Sequence, residues 1–161
     1  KSDSAVFADG INDWKFIAYT ATFSGSGNIT PALFVDGSQV AGSIQSSLEC
    51  TETKGALWTS SDKLYIGCSN NAGTASNLLT GIIDEFAIWN VALSAGAIEV
   101  LFNSGLPIDL LKDKDDYEGL TENLQAWYRF EESPSSAVID HAEISEGNLQ
   151  GNPTYSTDVP Q

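Results

Sequence analysis

Apolar residues along this chain recur mostly with a period of two. The run WKFIAYTATF at residues 14–23 is rich in aromatic and β-branched residues, lacks Gly and Pro, and stops at Ser24, Gly25, Ser26, Gly27 and Asn28. It predicts a strand and its turn. Ala32, Leu33, Phe34 and Val35 lead into Asp36 and Gly37, a pair that tolerates positive φ, and the chain resumes at Gln39 and Val40. This predicts a tight hairpin. Leu64 to Cys68 reads as a further strand, separated by the loop Ser69, Asn70, Asn71, Ala72, Gly73, Thr74 from the apolar stretch 81–89. In that stretch Ile82, Asp84, Phe86 and Ile88 alternate with Ile83, Glu85, Ala87 and Trp89, so both faces carry large apolar groups, as expected of a strand packed on both sides.

Only one segment has helical spacing. Ser94 can cap a short helix near 94–103 in which Ile98, Leu101 and Phe102 share a face, and Gly105 followed by Pro107 is expected to end it. Residues 108–123 then turn polar, with Lys112, Asp113, Lys114, Asp115 and Asp116 in succession, and read as an acidic solvated linker. Leu124, Ala126, Tyr128 and Phe130 alternate with Gln125, Trp127, Arg129 and Glu131 as one more strand, and two short extended pieces are expected near 137–139 and 148–150. No internal repeat is present, and the pattern predicts an all-β antiparallel fold, most naturally a β-sandwich. The organisation expected is a body over 1–107, the linker over 108–123, and a C-terminal strand segment over 124–161.

Composition narrows the partners. With 161 residues the chain can bury a sizeable core. Seven Lys plus Arg against 22 Asp plus Glu give a net charge of −15, which repels phosphate backbones and anionic lipid heads. Nucleic acid is not an expected partner, and no apolar run is long enough for membrane insertion as a helix. Two cysteines, Cys50 and Cys68, allow one disulfide or two free thiols. The chain begins at Lys1, as expected of a processed or partial sequence.

Several of these segments carry a family likeness. Residues 81–94, GIIDEFAIWNVALS, with the short helix and Phe102, Asn103, Ser104 and Gly105 after it, resemble the closing signature of laminin-G-like domains of the concanavalin A-like lectin/glucanase superfamily. Residues 13–20, DWKFIAYT, and 33–37, LFVDG, resemble the family's tryptophan strand and its hairpin. Leu124 to Glu132 resembles the segment that usually opens such domains, and residues 151–160 are similar to the tails of proteins of marine phages and viruses. The resemblance implies a concanavalin A-like jelly-roll sandwich in which the middle and end of a domain come first and an opening strand comes last. A truncated chain, completion by the C-terminal segment, and completion by strand addition from a neighbouring chain all fit that order. Ala97 stands where the family commonly has Glu, so the reciprocal cap is missing, at a cost of about 1 kcal/mol.

Chemistry is sparse. The one histidine, His141, lies in the polar tail and reads as an exposed loop residue, and no nucleophile stands beside a base. Glycoside hydrolases of this superfamily use carboxylates on one sheet face. Asp84 and Glu85, like Glu131 and Glu132, are adjacent and would point to opposite faces of a strand, which leaves only a cross-strand pair. The expectation is therefore a non-catalytic, lectin-like binding or assembly module on an extracellular or virion surface. Its alternatives are a purely structural virion or appendage protein with inter-chain sheet completion, and a glycoside hydrolase or its accessory domain. Trp58 and Tyr65 could stack on sugar rings, with Asn70, Asn71 and Asn77 binding hydroxyls. Trp14, Trp89 and Trp127 are expected to pack internally. Asp84, flanked by Ile82 and Phe86, needs a backbone donor or a cation, and the resemblance offers calcium as a candidate cofactor. Expected partners are glycans or cell-surface polysaccharide, and further copies of the chain or other virion or appendage proteins.

Overall fold

The structure, a computed structural model, describes residues 13–23, 29–41, 63–71, 74–132, 137–151 and 153–160. Among these, nine strands form four small antiparallel sheets and accompany one short helix. Strand β1, Ile17–Phe23, pairs along its whole length with β2, Ile29–Val35. The expected hairpin follows at once: Asp36 (φ 49°) and Gly37 (φ 75°) both adopt the left-handed region that a two-residue turn requires, and β3, Ser38–Gln39, returns against Val35 and Phe34. Asp36 also ties the turn back to the start of β1, accepting from the Phe16 amide (3.1 Å) and the Lys15 ammonium (2.8 Å).

The strand expected at 64–68 lies further along. Gly67 sits at φ 80°, which breaks an extended run, and the ladder forms instead between β4, Ser69–Asn71, and β5, Thr74–Ser76. The stretch 81–89 is likewise shorter than its alternation suggested. Glu85 adopts φ 53°, so strand β6 begins only at Phe86 and runs Phe86–Trp89, with all four residues half-buried.

Helix α1, Ala95–Phe102, is capped as expected by Ser94, whose hydroxyl accepts from the Ala97 amide at 3.1 Å. It ends earlier than Gly105. Asn103 (φ 44°) already takes the left-handed position, and Ser104 and Gly105 follow it with positive φ. Ala97, Ile98 and Leu101 form the buried stripe. Phe102 covers the β2–β3 turn: its ring lies 5.8 Å from that of Phe16, and a Cβ at Gly37 would fall 2.8 Å from it.

The segment 108–123 is not the solvated linker that its charges predicted. Two 3₁₀ turns, Asp115–Tyr117 and Thr121–Asn123, fold it back on the body. Tyr117 becomes fully buried in a cluster with Leu101, Leu110, Leu124 and Trp127, while the neighbouring carboxylates stay in water. The physical reason is that the segment brings several apolar side chains to the core, since Leu110 is buried with Tyr117 and Ile108 and Leu120 pack against the same cluster. Its hydroxyl is satisfied twice, donating to the Leu110 carbonyl (3.0 Å) and accepting from the Trp89 indole (3.2 Å).

Beyond this turn, strand β7, Leu124–Tyr128, pairs antiparallel with β6 inside the same chain, with a register shift at Ile88 and Trp89. Strands β8, Ala137–Val138, and β9, Gly147–Asn148, form the last hairpin, near the two extended pieces expected in the tail. The half-buried Trp89 and the buried Trp127 (3% exposed) pack internally as expected, and Trp14 is half-buried. Replacing Tyr117 with Phe should lower stability by about 1–3 kcal/mol, because the Trp89 indole and the Leu110 carbonyl lose a buried partner. Urea denaturation measures this, and an unchanged midpoint would contradict the role given to the hydroxyl.

Candidate functional site

Two regions hold the polar groups that could act on a ligand. The first lies where β6 and β7 part. Glu85, left-handed just before β6, turns its carboxylate onto the indole of Trp127 (Oε2 to Nε1, 2.7 Å) and onto Arg129 (Oε1 to Nε, 3.2 Å). Arg129 donates a second bond to Glu131 at 2.7 Å, and its guanidinium carbon lies 5.4 Å from the centre of the Trp127 ring. Phe130 has φ 58°, so both strands leave their ladder here through a left-handed residue that is not glycine. The strict alternation that set Asp84 against Glu85, and Glu131 against Glu132, therefore stops before it reaches either pair.

One cation joins carboxylates from two strands in this cluster. Such an arrangement holds charge and fixes the Trp127 side chain. Asp84 stands beside it without a cation of its own, and its carboxyl accepts the Glu85 amide at 3.1 Å. Burial raises its pKa above the ordinary carboxylate value, and the nearby charges of Glu85 and Glu131 push the same way. Among the described residues no group of three or more His, Cys, Asp or Glu is arranged to hold a metal ion. Asp84 has the backbone donor that the sequence offered as one of its two partners.

Asp140 is the best satisfied carboxylate of the described chain and had no signal in the sequence. It is 4% exposed and accepts from the amides of Trp127 (2.8 Å), Ala142 (2.9 Å), Ile144 (3.1 Å) and Ser145 (2.8 Å). Burial alone would raise its pKa, yet the four amide donors outweigh burial and hold it below the usual carboxylate value. His141, expected on an exposed loop, is half-buried because this turn presses it on Trp127, with ring centres 5.3 Å apart.

The second region is the β4–β5 hairpin, which carries the residues expected to meet sugar. Asn70 and Asn71 lie on β4. Asn77 (φ 50°) follows β5 and donates to the Ser69 hydroxyl at 3.0 Å, and that hydroxyl also approaches Ser76. The Leu79 amide bonds to the Gly67 carbonyl at 2.7 Å and closes the base of the unit. Tyr65 precedes it at 39% exposure, beside exposed Leu64. Trp58 lies outside the described residues. So does Cys50, while Cys68 carries a half-buried free thiol.

With this geometry in place, comparison adds the family. The laminin G family model described as the Concanavalin A-like lectin/glucanases superfamily matches residues 3–99, more than half of the chain. The chain belongs to that superfamily. No curated protein and no solved structure matches it.

Asp84→Asn keeps the acceptor for the Glu85 amide and removes a charge that burial and two neighbouring carboxylates disfavour. It should raise the melting temperature near neutral pH by about 1–2 °C. The sign follows from the raised value: protonated Asp84 favours the fold below the ordinary carboxylate range, and that advantage is lost as pH rises. The difference from the Asn variant should shrink in acid. Scanning calorimetry with and without chelator checks this, and a chelator-dependent loss of stability in the wild type alone would instead mark a calcium ligand.

Proposed function

We propose that this chain is a non-catalytic, lectin-like binding module with a concanavalin A-like sandwich architecture, acting on an extracellular or virion surface with glycans as ligands. Membership of the superfamily supports the class. The β4–β5 unit supports the reading, because Asn70 and Asn71 lie on β4, Asn77 follows β5 and Tyr65 precedes the unit in the sequence. Aromatic faces stack on the C–H faces of pyranose rings, and amides bond to hydroxyls. The Glu85, Arg129 and Glu131 bridge supports a structural role for the nearest carboxylates, since each is tied to the same guanidinium.

A glycan array probed with the labelled protein tests the proposal. Tyr65→Ala should weaken the best signal by about tenfold or more while leaving the circular dichroism spectrum unchanged. Absence of binding to every neutral and acidic glycan, with and without calcium, would defeat it.

A second reading, assembly between copies, is favoured by one observation. The cross-strand pairs Ile17 with Val35, Tyr19 with Leu33, Ala21 with Pro31 and Phe23 with Ile29 share one face of the β1–β2 sheet. All eight are apolar, and Ile17, Tyr19 and Phe23 are 45%, 56% and 56% exposed. On this reading two copies meet through that face, as a structural virion or appendage protein would. Light scattering should then show a concentration-dependent oligomer that Phe23→Glu converts to monomer. A wild-type monomer at all concentrations would exclude this reading and leave the lectin reading untouched.

A further inference from the structure

Strand β1 is a sheet edge with a row of unpaired backbone groups. The Phe16 carbonyl accepts the Asp36 amide at 2.9 Å, and the ladder continues from there without a shift. In the alternation of an antiparallel pair, Ala18, Thr20 and Thr22 therefore bond to β2, while Ile17, Tyr19, Ala21 and Phe23 direct their amides and carbonyls the other way. Pro31 fits this assignment: it stands opposite Ala21, in a pair that exchanges no bonds, so its missing N–H takes nothing from the ladder. Among the described residues none bonds to the outward amides or carbonyls. Sheet edges are commonly blunted by charge, proline, a bulge or short length. Strands β3, β4, β5, β8 and β9 are two or three residues long and the β6–β7 pair carries a register shift, whereas β1 runs for seven residues with no charge, proline, glycine or bulge.

We propose that β1 adds edge to edge, antiparallel, to β1 of a second copy of this chain, joining two three-stranded sheets into one. The outward residues are symmetric about Thr20. With a two-fold axis there, Ile17 stands opposite Phe23 of the second copy and Tyr19 opposite Ala21, and each pair exchanges both of its N–H···O bonds. Ile17 and Phe23, both exposed, then become a cross-strand pair of a β-branched and an aromatic side chain, which is a favourable one. Charge decides where such a chain can meet itself. At −15 per copy most surfaces repel one another, but residues 17–23 contain no Asp, Glu, Lys or Arg, so two copies of this edge approach without setting like charges opposite each other. The contact goes beyond the face-to-face packing raised above and does not require it, because it is made by backbone groups and not by the apolar face.

Ala21→Pro tests the contact, because proline there removes an outward N–H, keeps the face apolar and spares every bond to β2. Ala21→Val, which keeps the amide, is the control. Light scattering of the full chain across a concentration series should show a dimer for the wild type and for Ala21→Val. For Ala21→Pro the dimer should be weakened by about tenfold or more, since the two-fold axis removes the bond twice. A wild type that stays monomeric at all concentrations would overturn the proposal. So would an Ala21→Pro variant that dimerises as tightly as the wild type, an outcome that leaves the face contact standing. Should Ala21→Pro fail to fold, residue-resolved amide exchange of the wild type decides. The Tyr19 and Ala21 amides should exchange about tenfold or more slowly at high than at low concentration, while those of Ala18, Thr20 and Thr22 are slow at both. Outward amides that exchange equally at the two concentrations refute the contact, whether they stay fast or are already protected by the chain itself.

Discussion

The burial of Trp127 is the constraint on which the rest of the described structure depends. At 3% exposure it has water on almost none of its surface, so every polar group it carries must be satisfied inside the protein. Its amide goes to Asp140, its carbonyl to the His141 amide and its indole to Glu85. The first two of those contacts reach the turn between β8 and β9, and the third reaches the residue before β6. One strand thereby holds together elements separated by up to 42 residues of sequence. The ring also rests in the cluster with Tyr117 and Leu101, which brings the helix and the acidic turn into the same core.

Tyr117 shows how a segment rich in charge can still be structural. The carboxylates around it face water and cost little, so the apolar residues of the segment, Leu110 and Tyr117 with Ile108 and Leu120 beside them, decide where the backbone goes. Asp140 shows the complementary case. A carboxylate can lie in the interior when four amides converge on it, because the charge is then distributed over donors that the turn would otherwise leave unpaired. Neither residue depends on a neighbour in sequence alone for its role, and both are held by strand β7.

For function, the chain separates a charge network at the end of the β6–β7 ladder from a surface hairpin. Glu85, Arg129 and Glu131 are engaged with one another, and Asp84 meets a backbone amide. The β1–β2 face instead presents apolar groups outward, Ile17, Tyr19 and Phe23 among them, and Tyr65 is exposed ahead of the β4–β5 unit. A binding or assembly role rests on such outward surfaces, and membership of the lectin/glucanase superfamily is consistent with either.

Local physics was legible without coordinates wherever one residue acts on its immediate neighbours. The Asp36 and Gly37 turn, the Ser94 cap and the short helix follow from backbone preferences or from a period of 3.6 residues and stand where the pattern placed them, and strand β7 starts at the expected Leu124 but ends at Tyr128, short of the alternation read through Phe130. What the pattern could not contain were the contacts across long loops. Alternation through 81–89 did not reveal that Glu85 would turn left-handed to reach Trp127 and Arg129, and nothing near His141 announced an aromatic ring 14 positions earlier beneath it. Charge along 108–123 argued for solvent, and burial of Tyr117 reversed it. Only the tertiary structure decides such cases, because the free energy that selects them comes from partners brought together by folding, while the linear pattern records only the preferences of each segment for itself.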